Sequence, residues 1–187
     1  MESKDDITSL MTAAITGNDE LVKLLIKSNP KDIGRSSMGQ RTALMHAAYE
    51  GHAKCVEILS KTKELGRVDA GGKSALIFAA YNGHLKCVRI LANTKESKIT
   101  CNNGFNALMY AAVSGYLECV KVLLKVIDVN ARAKDEVVEK NGKKMISKGW
   151  TATTLASFHE KAKCKKILYR ESDRLHYKKL KEEQKEE

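Results

Sequence analysis

The sequence has a single proline, Pro30, among 187 residues, so almost nowhere does a missing amide or a locked φ interrupt a helix. Aromatic residues make up only 5% of the chain, which leaves Ala, Leu, Ile and Val to pack any core. No apolar run approaches the roughly 20 residues needed to span a bilayer. The opening Met1-Glu-Ser-Lys-Asp-Asp6 is charged and lacks the apolar segment of a signal peptide. A soluble protein is expected, in the cytoplasm or, alternatively, the nucleus. There is no glycine-rich phosphate loop, no Gly-x-Ser-x-Gly elbow and no zinc-protease helix. No Cys-x-x-Cys or Cys-x-x-His pair supports zinc. No metal, no cofactor and no catalysis are expected.

What is present is repetition. The stretch Thr42-Ala-Leu-Met-His-Ala-Ala-Tyr-Glu-Gly-His-Ala-Lys-Cys-Val-Glu-Ile-Leu59 returns almost letter for letter from Ser74 and again from Asn106, 32 residues apart each time (74 − 42 and 106 − 74). Looser copies open at Thr8, 34 residues upstream (42 − 8), and at Thr151, 45 downstream (151 − 106). Such a period, with two short apolar-periodic segments per copy, marks a stacked repeat array. Each segment spans only about two helical turns, too short to persist alone in water. Neighbouring pairs must therefore bury one another's Ala and Leu faces in one continuous seam. The opening residues Thr8, Thr42, Ser74, Asn106 and Thr151 carry side-chain oxygens that can close the first turn of a helix. Gly17, Gly51, Gly83 and Gly115 fall between the two segments, where positive φ stops the first helix; Glu160 holds that place in the fifth copy.

These residues resemble the ankyrin-repeat family, whose unit reads Thr-Pro-Leu-His-x-Ala-Ala-x-x-Gly-His-x-x-Val-Val-x-Leu-Leu. The likeness covers residues 8–169 and rests on spacing, the Ala-Ala pair and the Gly-His dipeptides together. Ala43, Ala75 and Ala107 stand where the family prefers proline, and Met11, Met45, Ile77, Met109 or Thr154 where it has histidine. Apolar packing is expected to replace the family's Thr-His bonds. The Thr-Ala-Leu-Met variant is similar to the expanded ankyrin proteins of diplomonad parasites. The resemblance implies an all-α ankyrin-repeat solenoid of about five helix-turn-helix units, starting near 8, 42, 74, 106 and 151. Residues 1–7 form a leader and 170–187 a charged, partly disordered tail. The 13 extra residues before the last copy (45 − 32) fall at a finger tip. Within this insertion, 136–147, two half-charged segments flank Asn141-Gly142, a strong hairpin signal. An extended β-hairpin finger before the last unit is expected.

Cys55, Cys87, Cys119 and Cys164 recur at one position of four copies. Equivalent positions on packed neighbouring helices lie about 10 Å apart, too far for a disulfide, so buried, reduced thiols are expected. Cys101, in a connector, is expected to be exposed.

With catalysis set aside, binding remains. His52 and His84 belong to the Gly-His turn and are expected to bond backbone, His46 replaces an apolar helix position, and His159 and His176 have no repeated partner. In the ankyrin fold the residues before each inter-helix turn line a concave groove. Here these are Ile15-Thr16, Tyr49-Glu50, Tyr81-Asn82, Val113-Ser114 and Phe158-His159, and the finger bases are Arg41, Lys73, Phe105 and Trp150. The partner-binding residues expected from this register are Arg41, Tyr49, Glu50, Lys73, Tyr81, Asn82, Phe105, Val113, Ser114 and Trp150. Residues 1–72 hold 10 basic and 10 acidic side chains, so the net charge of +10 belongs wholly to residues 73–187. That polarity favours an acidic protein partner. Nucleic acid is the rival, countered by interleaved glutamates and the lack of a nucleic-acid fold. The function expected is a non-catalytic, monomeric scaffold, adaptor or targeting module that uses its groove and finger loops. A nucleic-acid-associated basic protein and a regulatory remnant of an ankyrin-linked kinase-like protein are the alternatives.

Overall fold

The computed structural model describes residues 7–134, 137–140, 143–146 and 149–186, with side chains described for 7–134 and 149–175. The leader apart from Ile7 and the Asn141-Gly142 turn lie outside the described residues. Five helix pairs follow one another. They are α1 (Ser9–Thr16) with α2 (Asp19–Ser28), α3 (Ala43–Glu50) with α4 (Ala53–Leu59), α5 (Ala75–Tyr81) with α6 (Leu85–Leu91), α7 (Ala107–Ser114) with α8 (Leu117–Leu123), and α9 (Ala152–Phe158) with α10 (Ala162–Glu186). The last helix runs on through the segment expected as a tail. Among the described residues no helix is long and apolar enough to cross a membrane.

Each pair starts from the residue that its sequence offered. Thr8 Oγ1 accepts the amide of Met11 at 3.2 Å, Thr42 that of Met45 at 3.4 Å, Asn106 Oδ1 that of Met109 at 2.9 Å and Thr151 that of Thr154 at 3.4 Å. One unpaired donor of each first turn is thereby satisfied. Ser74 makes no such bond. The first helices stop at Gly17, Gly51 and Gly115 with φ of 73°, 85° and 85°, and Glu160 adopts φ 58° in the fifth turn.

First helices stack in one row, α1 to α9, and second helices in another, α2 to α10. One cluster of buried side chains runs from Leu10 to Leu168. Met11, Met45, Ile77 and Met109, all 1% exposed or less, fill the position where the family places histidine.

The connectors are zipped to one another at the same period. A turn closes from Ser37 N to Arg41 O, from Asp69 N to Lys73 O and from Cys101 N to Phe105 O, at 2.9 to 3.0 Å. In the fourth connector the matching bond joins Ala133 N to Trp150 O at 2.8 Å, spanning 17 residues instead of 4 (150 − 133 against 41 − 37). Between them lie β1 (Val137–Lys140) and β2 (Lys143–Ile146), antiparallel, with Val137 opposite Ile146. Adjacent tips are bonded Ala70 N to Gly39 O, Asn102 N to Gly71 O and Lys134 N to Asn103 O, at 2.9 to 3.0 Å.

Two buried carboxylates brace this row. Glu64 and Glu96 are each 1% exposed. Glu64 accepts from Gly34 N at 2.9 Å and Leu44 N at 2.7 Å; Glu96 accepts from Gly66 N at 3.1 Å and Leu76 N at 2.6 Å. In each case one oxygen holds the preceding connector and the other a first-turn amide of its own unit. Thr62 and Thr94 place them, each donating to the carbonyl that ends the second helix and accepting the glutamate's amide. Burial pushes both carboxyls above the usual range, opposed by the bonds from the backbone amides.

The structure corrects one cysteine. Cys55, Cys87, Cys119 and Cys164 are free and buried, but so is Cys101, 3% exposed. The tight turn from Cys101 to Phe105 folds both side chains inward, with Cys101 Sγ 3.6 Å from the Tyr110 hydroxyl. Desolvation raises the Cys87 and Cys119 thiols to about 11, so thiolate is scarce. Less than one equivalent of thiol is therefore expected to react with a chromogenic disulfide at neutral pH until denaturant opens the stack. Rapid labelling of the folded chain would contradict this burial.

Candidate functional site

Three columns of side chains run along the first-helix row beside the connectors, because equivalent positions of successive units lie on neighbouring helices. The residues before the caps form one: Arg41, Lys73, Phe105 and Trp150. The ends of the first helices form another: Tyr49, Tyr81, Val113 and Phe158. Between them stand His46, Phe78 and Tyr110, a column not singled out from sequence because it reads as an ordinary helix face.

That middle column joins the other two. Tyr49 meets the edge of Phe78 with ring centroids 5.9 Å apart, and Tyr81 meets Tyr110 at 5.8 Å. The Arg41 guanidinium lies 4.8 Å from the Phe78 ring and 5.7 Å from that of Tyr49, and Lys73 Nζ lies 5.5 Å from Tyr110. A cation of one unit thus rests on an aromatic face of the next. Each such contact contributes on the order of 0.5–2 kcal/mol, increasing with desolvation. Among the described residues neither cation has a carboxylate within salt-bridge distance. His46 bonds Ser37 Oγ through Nε2 at 3.0 Å, and burial, helped by the Arg41 charge, lowers its pKa. It remains neutral at physiological pH and adds no third charge.

The ten residues expected to bind a partner divide into two groups. Tyr49 and Tyr81 are 39% and 49% exposed, Glu50 is exposed, and Arg41 and Lys73 are half-buried with their charged ends on rings. These five lie together. The other five also make contacts within the chain. Phe105 is 5% exposed, folded into the core by its turn and packed on Tyr110 at 5.7 Å. Asn82 Nδ2 donates to Tyr49 O at 3.1 Å and Ser114 Oγ to Tyr81 O at 3.0 Å, so both stitch one unit to the preceding one. Val113 packs against the core, and Trp150, half-buried, stacks edge-on with Phe158 at 5.1 Å.

The turn histidines are committed as well. His52 Nε2 bonds Ile15 O at 2.9 Å and His84 Nε2 bonds Tyr49 O at 2.8 Å. Each ring covers the turn glycine of the preceding unit, and Tyr116 covers Gly83 in the same way.

Comparison with known proteins agrees with this architecture. Residues 1–69 and 61–133 match the family described as ankyrin repeats in three copies, while α9 and α10 continue both rows beyond that match. A stretch of 57 residues is 40% identical to a protein of Oryza sativa subsp. japonica named as a probable E3 ubiquitin-protein ligase. The match covers 30% of this chain and spans only 13% of that relative's length. With the family match extending over most of its length, the chain belongs to the ankyrin-repeat family.

Proposed function

We propose that this chain is a non-catalytic protein-interaction module, a monomeric cytoplasmic scaffold, adaptor or targeting protein, and that its partner docks on the face between the first-helix row and the connectors. The observation that carries this reading is the strip of Tyr49, Tyr81, Arg41 and Lys73, in which exposed rings fixed by their neighbours lie beside half-buried cations that have no carboxylate within salt-bridge distance among the described residues. Rigid aromatic and arginine side chains are the usual anchors of protein interfaces, and fixing them before binding lowers the ordering cost. The partner presents an acidic patch, in keeping with the basic surplus of residues 73–187. The paired strands between Ala133 and Trp150 act as an extended finger that adds contact at the C-terminal end of the face.

The test is capture of partners from the native cell with the intact chain and with a Tyr49→Ala, Tyr81→Ala double variant. The double variant is expected to stay folded, since both side chains lie at the surface, and to bind its principal partner roughly tenfold or more weakly. Unchanged capture by a folded variant would remove the anchors and the reading with them.

A further inference from the structure

We infer that the segment this face recognises is an acidic stretch in polyproline II conformation, with carboxylates three residues apart seated over Arg41 and Lys73. This rests on the interaction reading above and specifies the partner's chemistry. Arg41 and Lys73 are equivalent residues of adjacent units, 32 positions apart (73 − 41). Each is held on a ring of the next unit, Phe78 or Tyr110, so their separation is set by the stack and not by side-chain wandering. Adjacent packed helices lie about 8–10 Å apart. A polyproline II chain has three residues per turn and rises about 3.1 Å per residue, so side chains three apart return to one face about 9 Å from one another. In a helical partner, residues three or four apart stand only about 5–6 Å from one another at their Cβ atoms, too close to reach both cations.

Beside each cation lies an exposed tyrosine, Tyr49 near Arg41 and Tyr81 on the ring below Lys73. A phenol near a cation suits a carboxylate, which accepts from both. Glu50, next to Tyr49 at the end of its helix, is acidic, and its equivalents in the next two units are Asn82 and Ser114; the Asp69 carboxylate is already held in its own turn by the amides of Gly71 and Lys73. Glu50 therefore opposes an acidic ligand at the Arg41 end.

The test uses the full chain, isotope-labelled on nitrogen, titrated with synthetic Gly/Ser peptides carrying two glutamates separated by two, three, four or seven positions. The three-residue spacing is expected to bind roughly tenfold more tightly than the two-residue spacing, with amide shifts confined to the second and third units. Arg41→Gln and Lys73→Gln should each abolish the preference for spacing, Arg41→Lys should retain most of it, and Glu50→Gln should tighten binding in low salt. Equal affinity at every spacing, no binding at all, preference for the seven-residue spacing of a helical partner, or shifts confined to the basic last helix would each overturn the inference. If capture of the native partner still depends on Tyr49 and Tyr81 while the peptides show no spacing preference, the interaction reading stands and this one falls. A spacing preference without that dependence leaves the paired cation site standing and removes the tyrosine anchors.

Discussion

Replacing Glu96 with alanine is expected to cost about 3–5 kcal/mol of unfolding free energy, because two charge-assisted bonds contributing roughly 1.5–3 kcal/mol each disappear together. The amide of Leu76 is buried and that of Gly66 partly so, and neither gains another acceptor when the side chain is truncated. Equilibrium urea unfolding of the full chain would read the change. Glu96→Gln preserves shape and one acceptor but turns an amine toward the second amide, so an intermediate loss is expected. Glu64 should behave alike in its own unit. A loss below about 1 kcal/mol for the alanine variant, the level of an ordinary surface substitution, would show that the carboxylate is not a brace.

Protonation gives a second handle on the same residues. Burial raises both carboxyls above their ordinary value of 4.5, so between that value and the folded one the native chain holds more protons than the unfolded chain. Stability from this source is therefore complete below pH 4.5 and declines as pH rises through the folded value. A Glu64→Gln, Glu96→Gln double variant lacks this titration. Its deficit relative to the parent should be greatest in mild acid and narrow toward neutrality; a deficit widening with pH would refute the direction of the shift.

Gly51→Ala is the second large effect, with an expected cost of about 2–4 kcal/mol. A left-handed backbone costs an L-residue about 1–2 kcal/mol, and Gly51 has φ 85°. Its new methyl would also lie 2.5 Å from His84 Nδ1, forcing the ring away and straining its bond to Tyr49 O, worth about 1 kcal/mol. Gly115 has the same φ, but a methyl there would meet the flexible Lys161 side chain at 2.9 Å. Gly115→Ala should thus cost little beyond the backbone term. In a His84→Ala background the penalty of Gly51→Ala should shrink by about 1 kcal/mol or more, a coupling that a double-mutant cycle isolates. Strict additivity would mean that ring and turn do not press on one another.

The repeated architecture is legible in the sequence because it depends on local chemistry that recurs. A cap oxygen, an Ala-Ala pair and a turn glycine each act within a few residues, and five copies at a near-constant period point to stacking. What escapes depends on atoms brought together from different units. Thr62-Lys-Glu64 and Thr94-Lys-Glu96 are identical triplets 32 residues apart (94 − 62), yet charged residues in a turn read as solvent-facing. Only the two amides waiting beneath them, one from each unit, make burial favourable. That repetition is the available signal. The bonds of Asn82 and Ser114 escape for a related reason: polar side chains at helix ends show no partner in sequence until the carbonyl of the preceding unit is placed beside them. Cys101 and Phe105 turn inward because a tight connector leaves its flanking side chains no other direction. The cation-on-ring ladder needs the column of Phe78 and Tyr110, whose rings acquire a role only from the unit before.

The bonded tips of the connectors also govern where this chain can grow. Tips at Ala70 and Asn103 are matched to a neighbour on each side, so an added residue would throw one junction out of step with the next. The fourth tip bonds backward through Lys134 to Asn103. Extra polypeptide entering beyond Ala133 leaves every earlier junction intact, as the bond from Ala133 to Trp150 shows. Length is thereby free to vary at the fourth connector of a structure that elsewhere counts its residues strictly.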